Sequence, residues 1–215
     1  MAAARVQATQ LGFGYGTDAP LLSGLDFAIP PAGVSLVRGG ESRGKSTLLR
    51  LLAGQLRPSV GSLRMHDQDL HDAALKNRIY AHIFARSDVH APRAPQRQAL
   101  TPRQYFAQMA QQYPHWDDAM AAAMLEHLQL AAHADKAMYM LSTGSQRKVG
   151  WVTALACGAD LLLMDEPFAA LDLASIRKLH QLLDDWPLTQ RSAWVLADYQ
   201  APGAVRLSAL IDLGE

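Results

Sequence analysis

The sequence predicts an α/β fold, and three observations carry that prediction. The first third alternates short strand-like apolar runs with turn residues. A long middle stretch has helical spacing and few strand signals, and from Leu161 onward apolar strands alternate with a helix again. Residues 1–75 and 158–215 are therefore expected to form one core lobe. Residues from about 76 to 157 are expected to form an inserted helical subdomain, the whole 1–215 being one domain.

The elements follow in order. Val6 to Phe13, Leu25 to Ile29, Val34 to Val37 and Ser62 to Met65 read as strands, punctuated by Pro30-Pro31-Ala32-Gly33 and Arg57-Pro58-Ser59-Val60-Gly61. Lys45 to Ala53 has helical spacing. Arg78 to Arg86 reads as a strand that enters the insertion. Thr101-Pro102 opens a helix through Gln112, because proline is tolerated in a first turn. Asp117 caps a second helix with Met120, Met124, Leu125 and Leu128 on one core-facing side. Gly144 to Ala156 is a third helix. Leu161 to Met164 is a buried strand, Leu173 to Trp186 a helix, and Ser192 to Ala197 and Leu207 to Leu213 the last strands.

Bulk properties bound the function. With 49% apolar residues over 215 positions the chain can bury a real core. Twenty basic residues balance twenty acidic ones, so nothing global favours a nucleic-acid partner. Cys157 stands alone in an apolar run, which excludes an internal disulfide or a cysteine-rich metal site and marks it as a small core residue. No run reaches the ~20 apolar residues of a membrane span, and the start carries no secretion-signal pattern. A cytoplasmic protein is expected, peripheral to any membrane through partner subunits.

Gly39-Gly40-Glu41-Ser42-Arg43-Gly44-Lys45-Ser46 fits the phosphate-binding pattern G-x-x-x-x-G-K-[ST], between a strand and a helix as that pattern requires. Its backbone N–H groups can converge on one anion at a helix N-terminus. Lys45 would reach the β- and γ-phosphates and the Ser46 hydroxyl would sit on Mg²⁺, with Thr47 completing the ATP-binding run. The strand Leu161 to Met164 ends in Asp165-Glu166-Pro167. An acid at that tip, Asp165, can hold Mg²⁺, and Glu166 can polarise an attacking water.

Leu141-Ser142-Thr143-Gly144-Ser145, at a helix start before the acidic strand, resembles the L-S-G-G-Q signature of the ATP-binding-cassette (ABC) ATPases, with Thr143 and Ser145 as departures. Ala169-Ala170-Leu171-Asp172 is similar to the family's D-loop, and Tyr15 in Phe13-Gly14-Tyr15-Gly16 to the aromatic that stacks on adenine. The resemblance covers nearly the whole chain in the family's motif order. It implies the family's α/β P-loop NTPase nucleotide-binding domain, with a mixed-sheet core, an antiparallel N-terminal part and an inserted helical subdomain, the P-loop being Gly39 to Ser46. It also implies an ATPase, dependent on ATP and Mg²⁺, that works as a homodimer or heterodimer of cassettes. In such a dimer Ser142 to Ser145 meet the γ-phosphate bound by the other subunit, and the pair drives integral membrane transporter subunits. In chain length, and at Tyr199-Gln200-Ala201-Pro202, it is similar to the cassettes of cytochrome-c-maturation haem exporters. A low-turnover regulatory ATP-binding partner of another cassette is the alternative.

Four departures qualify the resemblance. Ser42 replaces a usual glycine, so a left-handed backbone there would be strained. Arg43 puts a bulky cation at a usually small position, as a solvated arm or as a phosphate or partner contact. The Q-loop glutamine has no counterpart: Ala85 or His82 falls at its place, and the next glutamine is Gln96. The switch histidine is replaced by Tyr199, with Asp198 the other occupant. A tyrosine can donate a hydrogen bond to the γ-phosphate but cannot cycle a proton near neutral pH, so slow or partner-dependent hydrolysis is expected. The run Lys76, Arg78, Arg86, Arg93, Arg97 and Arg103, with His82 and His90, is a solvated basic face or faces anionic lipid at a docked membrane subunit.

Overall fold

The computed structural model describes residues 4–16, 19–83, 98–189 and 192–215. Strands β1 (Val6–Phe13), β2 (Leu22–Ile29), β4 (Val60–Met65) and β5 (Gln68–Asp69) form an antiparallel sheet in the order β2-β1-β4-β5. Strands β3 (Gly33–Arg38), β6 (Ile79–His82), β7 (Leu161–Asp165), β8 (Ala193–Asp198) and β9 (Leu207–Asp212) form a second sheet in the order β6-β7-β8-β3-β9. Every pairing in that second sheet is parallel. The mixed character expected of the core is thus divided between one sheet of each kind.

The parallel strands are continuous apolar runs because both of their faces are covered. Successive residues feed two different cores: Leu162, Met164, Trp194 and Leu196 join one cluster, while Leu161, Leu163, Val195 and Ala197 join the other. The second cluster is completed by helix α1 (Lys45–Leu52) and the inner face of the antiparallel sheet. The first is completed by α4 (Thr143–Ala156), α5 (Leu173–Thr189) and the inserted helices.

The insertion holds α2 (Pro102–Gln112) and α3 (Asp118–His127). Helix α2 starts with a capping box, in which Thr101 accepts from the Gln104 amide and Gln104 reaches back to the Thr101 amide, with Pro102 in the first turn. The Asp117 carboxylate accepts the Met120 N–H at 2.8 Å and caps α3. Leu128 is fully buried below it, with Met120, Met124 and Leu125 packed on the core.

Strand β6 falls within the Arg78 to Arg86 run read as a strand, and pairs with β7 from Ile79↔Leu161 to His82↔Met164. Two features are absent from the sequence reading. The two-residue β5 follows a tight turn with His66 at φ 51° and Asp67 at φ 61°, and its sequence is too short and polar to show periodicity. A 3-10 turn, Ala73–Arg78, capped by Asp72, precedes β6. Among the described residues no helix is long and apolar enough to cross a membrane.

Candidate functional site

In a parallel sheet, ligands bind beyond the carboxyl ends of the strands. Strands β7, β8 and β3 lie side by side, with Asp165 opposite Ala197 and Arg38 opposite Asp198. Three loops therefore leave the same edge together: the P-loop after β3, Asp165-Glu166 from β7, and Asp198-Tyr199 from β8. A pocket of about 240 Å³ opens there, lined by Leu21, the run Glu41 to Thr47, Glu166 and Tyr199.

The P-loop backbone reaches this shape through left-handed residues, Ser42 at φ 60° and Gly44 at φ 90°. Gly44 caps α1 and its carbonyl accepts the Leu48 N–H at 2.7 Å. A side chain at Gly44 would also press on Leu22. Ser42 keeps the loop conformation at the cost of a strained non-glycine residue, about 1 kcal/mol. The Gly40 N–H donates to the Gly214 carbonyl at 2.9 Å, which ties the loop to the segment after β9.

Lys45 is 7% exposed, and its ammonium donates to the carbonyls of Gly39 and Gly40, both at 2.7 Å. It also lies 3.8 Å from the centre of the Tyr199 ring. Burial lowers its pKa, opposed by the charges of Glu166, Asp165 and Asp198. Arg43, exposed, borders the pocket beside Gly39 and Gly40.

The Ser46 hydroxyl donates to an oxygen of Asp165 at 2.6 Å, across 119 residues of sequence. Asp165 is 1% exposed, and burial pushes its carboxyl up to about 6 despite the Ser46 hydrogen bond. A buried carboxylate beside a hydroxyl is an oxygen donor pair suited to a hard divalent cation. Among the described residues no three His, Cys, Asp or Glu side chains gather to hold a metal unaided, so such a cation would draw further ligands from phosphate and water.

Glu166 borders the pocket with its own backbone left-handed, φ 42°, and its N–H donates to the Ala197 carbonyl at 2.8 Å. Burial raises the Asp198 carboxyl, which accepts the Tyr199 N–H at 2.7 Å. Of the two candidates for the switch position, Tyr199 lines the pocket, 40% exposed. Tyr15 is half exposed, edge-on to Phe13, with its hydroxyl 3.2 Å from that of Thr47. An open ring face thus stands next to the P-loop helix.

Ser142, Thr143, Gly144 and Ser145 do not line this pocket. They form the start of α4, where the Ser142 hydroxyl accepts the Ser145 N–H at 3.1 Å and donates to the Ser145 hydroxyl at 3.0 Å. Ser142 and Thr143 are exposed. Asp172, in the D-loop segment, accepts from Lys148 Nζ at 2.7 Å and from both the N–H and hydroxyl of Ser175 at 2.8 Å, which holds its carboxyl well below the usual range.

Two expectations change. His82 does not reach the phosphate pocket: its ring stands against Gly150 of α4 and lines a separate cleft of about 440 Å³ with Ala53, Lys76, Tyr105, Met109 and Tyr113. The basic face is not wholly free either. Arg78 pairs with Asp160 and Arg103 with Asp135, each committing a cation within the chain. Ala85, Arg86, His90, Arg93, Gln96 and Arg97 lie outside the described residues. Leu21, which lines the pocket, was missed, since nothing in its local sequence links it to the P-loop. Lys148 and Arg147 were missed too, because their partners lie some twenty residues away.

A family model described as ABC transporter matches residues 22–169. The cytochrome c biogenesis ATP-binding export protein CcmA of Bordetella bronchiseptica is 34% identical over 184 residues, 84% of this chain and 78% of that protein. Phosphonates import ATP-binding protein PhnC 2 of Rhodopseudomonas palustris is 34% identical over 169 residues, 74% of this chain and 62% of its own length. The chain spans only 65% of the iron(3+)-hydroxamate import ATP-binding protein FhuC of Bacillus subtilis, at 29% identity. Among solved structures, a Pyrococcus furiosus chain assigned to the ABC transporter ATP-binding proteins superposes with a TM-score of 0.78, covering 97% of this chain and 96% of that one. At 20% identity it speaks for the fold alone.

Proposed function

This chain belongs to the ABC transporter family of ATP-binding proteins, and we propose that it is an ATPase subunit that binds MgATP at the P-loop and hydrolyses it to drive membrane-spanning partners. The observation that carries the reading is that Lys45, Ser46 and Glu166, which follow β3 and β7, line one pocket, with Asp165 hydrogen-bonded to Ser46 across 119 residues.

The roles follow from chemistry. The amides from Glu41 to Thr47 and the Lys45 ammonium bind the phosphates, and the exposed ring of Tyr15 takes the adenine ring. Ser46 and Asp165 would hold Mg²⁺, which when bound neutralises charge on the phosphate oxygens. Glu166 orients and deprotonates the attacking water. Tyr199, whose ring lies 3.8 Å from the Lys45 ammonium, contributes a hydroxyl donor at the pocket. The exposed start of α4, Ser142 to Ser145, offers a second anion site to the nucleotide held by another cassette, and Asp172 belongs to that same interface.

As partners we propose a second cassette, identical or different, and integral membrane subunits that dock at the cleft lined by Lys76, His82 and Tyr105, at the cytoplasmic face. A single cassette over residues 1–215, with its helical insertion after β6, serves this role. The named relatives move different things, so the shared chemistry is that of ATP and not of a cargo. Phosphate release by the full chain, measured beside Glu166→Gln, tests the reading. Equal rates in the two proteins would overturn it.

A further inference from the structure

The loop that carries Glu166 is strained, and one face of α4 grips it. Between Glu166 and Asp172 two non-glycine residues are left-handed, Glu166 at φ 42° and Ala170 at φ 60°. Such conformations persist only where their surroundings over-determine them. The restraints come from Gly144, Arg147, Lys148 and Trp151, spaced i, i+3, i+4 and i+7 and so stacked on one helix face.

Each of the four meets a part of the loop. The Trp151 indole N–H donates to the Pro167 carbonyl at 2.9 Å, and its ring stacks on Phe168 with centroids 5.8 Å apart. An Arg147 guanidinium nitrogen donates to the Ala169 carbonyl. Gly144 lies so close to the Ala170 carbonyl that a side chain there would collide with it. Lys148 Nζ donates to Asp172 at 2.7 Å, from a side chain only 11% exposed. On the other side of Glu166, its own N–H is held by Ala197.

We infer that the Gly144–Arg147–Lys148–Trp151 face of α4 is a positioning clamp, which holds the 166–172 loop in its strained form and so fixes the direction of the Glu166 carboxylate. This rests on the reading of Glu166 as the base. None of the four lines the P-loop pocket. Only Gly144 lies in the Ser142 to Ser145 segment proposed to meet the other cassette's nucleotide, so Arg147, Lys148 and Trp151 act on catalysis through Glu166 and leave nucleotide affinity at the P-loop alone. Lys148 and Trp151 are therefore positioning residues.

The test uses the full chain with Trp151→Phe, which keeps the stacked ring and removes the N–H, and Lys148→Met, at the rim, with Lys148→Arg as the conservative control. Two quantities are read: hydrogen exchange of the 166–172 amides, and steady-state MgATP turnover. In Trp151→Phe and Lys148→Met, exchange in that loop should rise by about fivefold or more and kcat fall by a similar factor. KM for MgATP should stay within about twofold, and Lys148→Arg should restore both readings. Unchanged exchange overturns the clamp. Faster exchange with unaltered kcat, or a loss confined to KM, overturns its positioning role. Absence of turnover in the unaltered chain counts against the proposed function instead, and exchange alone then decides the clamp. If Trp151→Phe fails to fold, the same two readings on Lys148→Met decide it.

Discussion

Replacing Ser46 by alanine removes one of the two side-chain oxygens proposed for Mg²⁺ and leaves the P-loop backbone in place. Two effects add. Asp165 is buried and already pushed up to about 6, and the Ser46 hydroxyl is among the groups holding it down from a still higher value. Without that donor the carboxyl rises further and is more often protonated at pH 7, which weakens it as a cation ligand. A hydrogen bond to a charged group at 2.6 Å contributes about 1.5–3 kcal/mol, or roughly 10- to 150-fold in an equilibrium constant. The assay is equilibrium binding of ATP with Mg²⁺ and with a chelator. Ser46→Ala should match the unaltered protein in chelator, where amides and Lys45 do the binding, and lose at least about tenfold in affinity when Mg²⁺ is present. Equal affinities in Mg²⁺, or an equal loss in both media, would refute the pairing of Ser46 and Asp165 as a cation site.

Two further predictions concern stability. His66 meets the guanidinium groups of Arg5 and Arg78, each at 3.1 Å, with Asp160 3.9 Å away and Asp67 beside it in the turn. Burial and the two arginines lower its pKa, so below the ordinary value of about 6.5 the unfolded chain takes up a proton that the folded chain resists. Stability should be full above about pH 6.5 and fall as the pH drops through that range; the denaturation midpoint of His66→Gln should show a flatter fall, and an identical slope would contradict this. Gly150→Ala would place a methyl 2.5 Å from the His82 ring, an overpacking of about 1–3 kcal/mol that lowers Tm by roughly 2–10 °C. His82→Ala in the same chain should recover most of that loss, and additive losses would exclude the contact.

Much of the candidate site was legible because its parts are contiguous motifs. The run Gly39 to Ser46, the Asp165-Glu166 pair and the Ser142 to Ser145 helix start each sit within a few residues, and each marks a strand end or a helix end by its composition. The parallel strands were equally plain, since burial on two faces leaves unbroken apolar runs such as Leu161 to Met164. What escaped is what tertiary packing decides. Nothing near Leu22 shows that β2 begins there rather than at Leu25, because its first residues are held by pairing with Phe13 across the sheet. The assignment of His82 turned on whether a ring finds room beside α4, and the answer lies in the missing side chain of Gly150, 68 residues on. The α4 clamp was hidden for the same reason. Its i, i+3, i+4, i+7 spacing is visible, but nothing in the sequence links Arg147 and Lys148 to their partners at 169 and 172.

Everything proposed for turnover depends on Glu166, at the end of β7, activating water against a nucleotide held by Lys45, Ser46 and Asp165. The decisive measurement is phosphate release at saturating MgATP by the full chain and by Glu166→Gln, with MgATP affinity determined on the same samples. Equal binding is expected, with a rate lower by about 10²-fold or more in the variant. Turnover that survives the substitution, with binding intact, would contradict this role for Glu166.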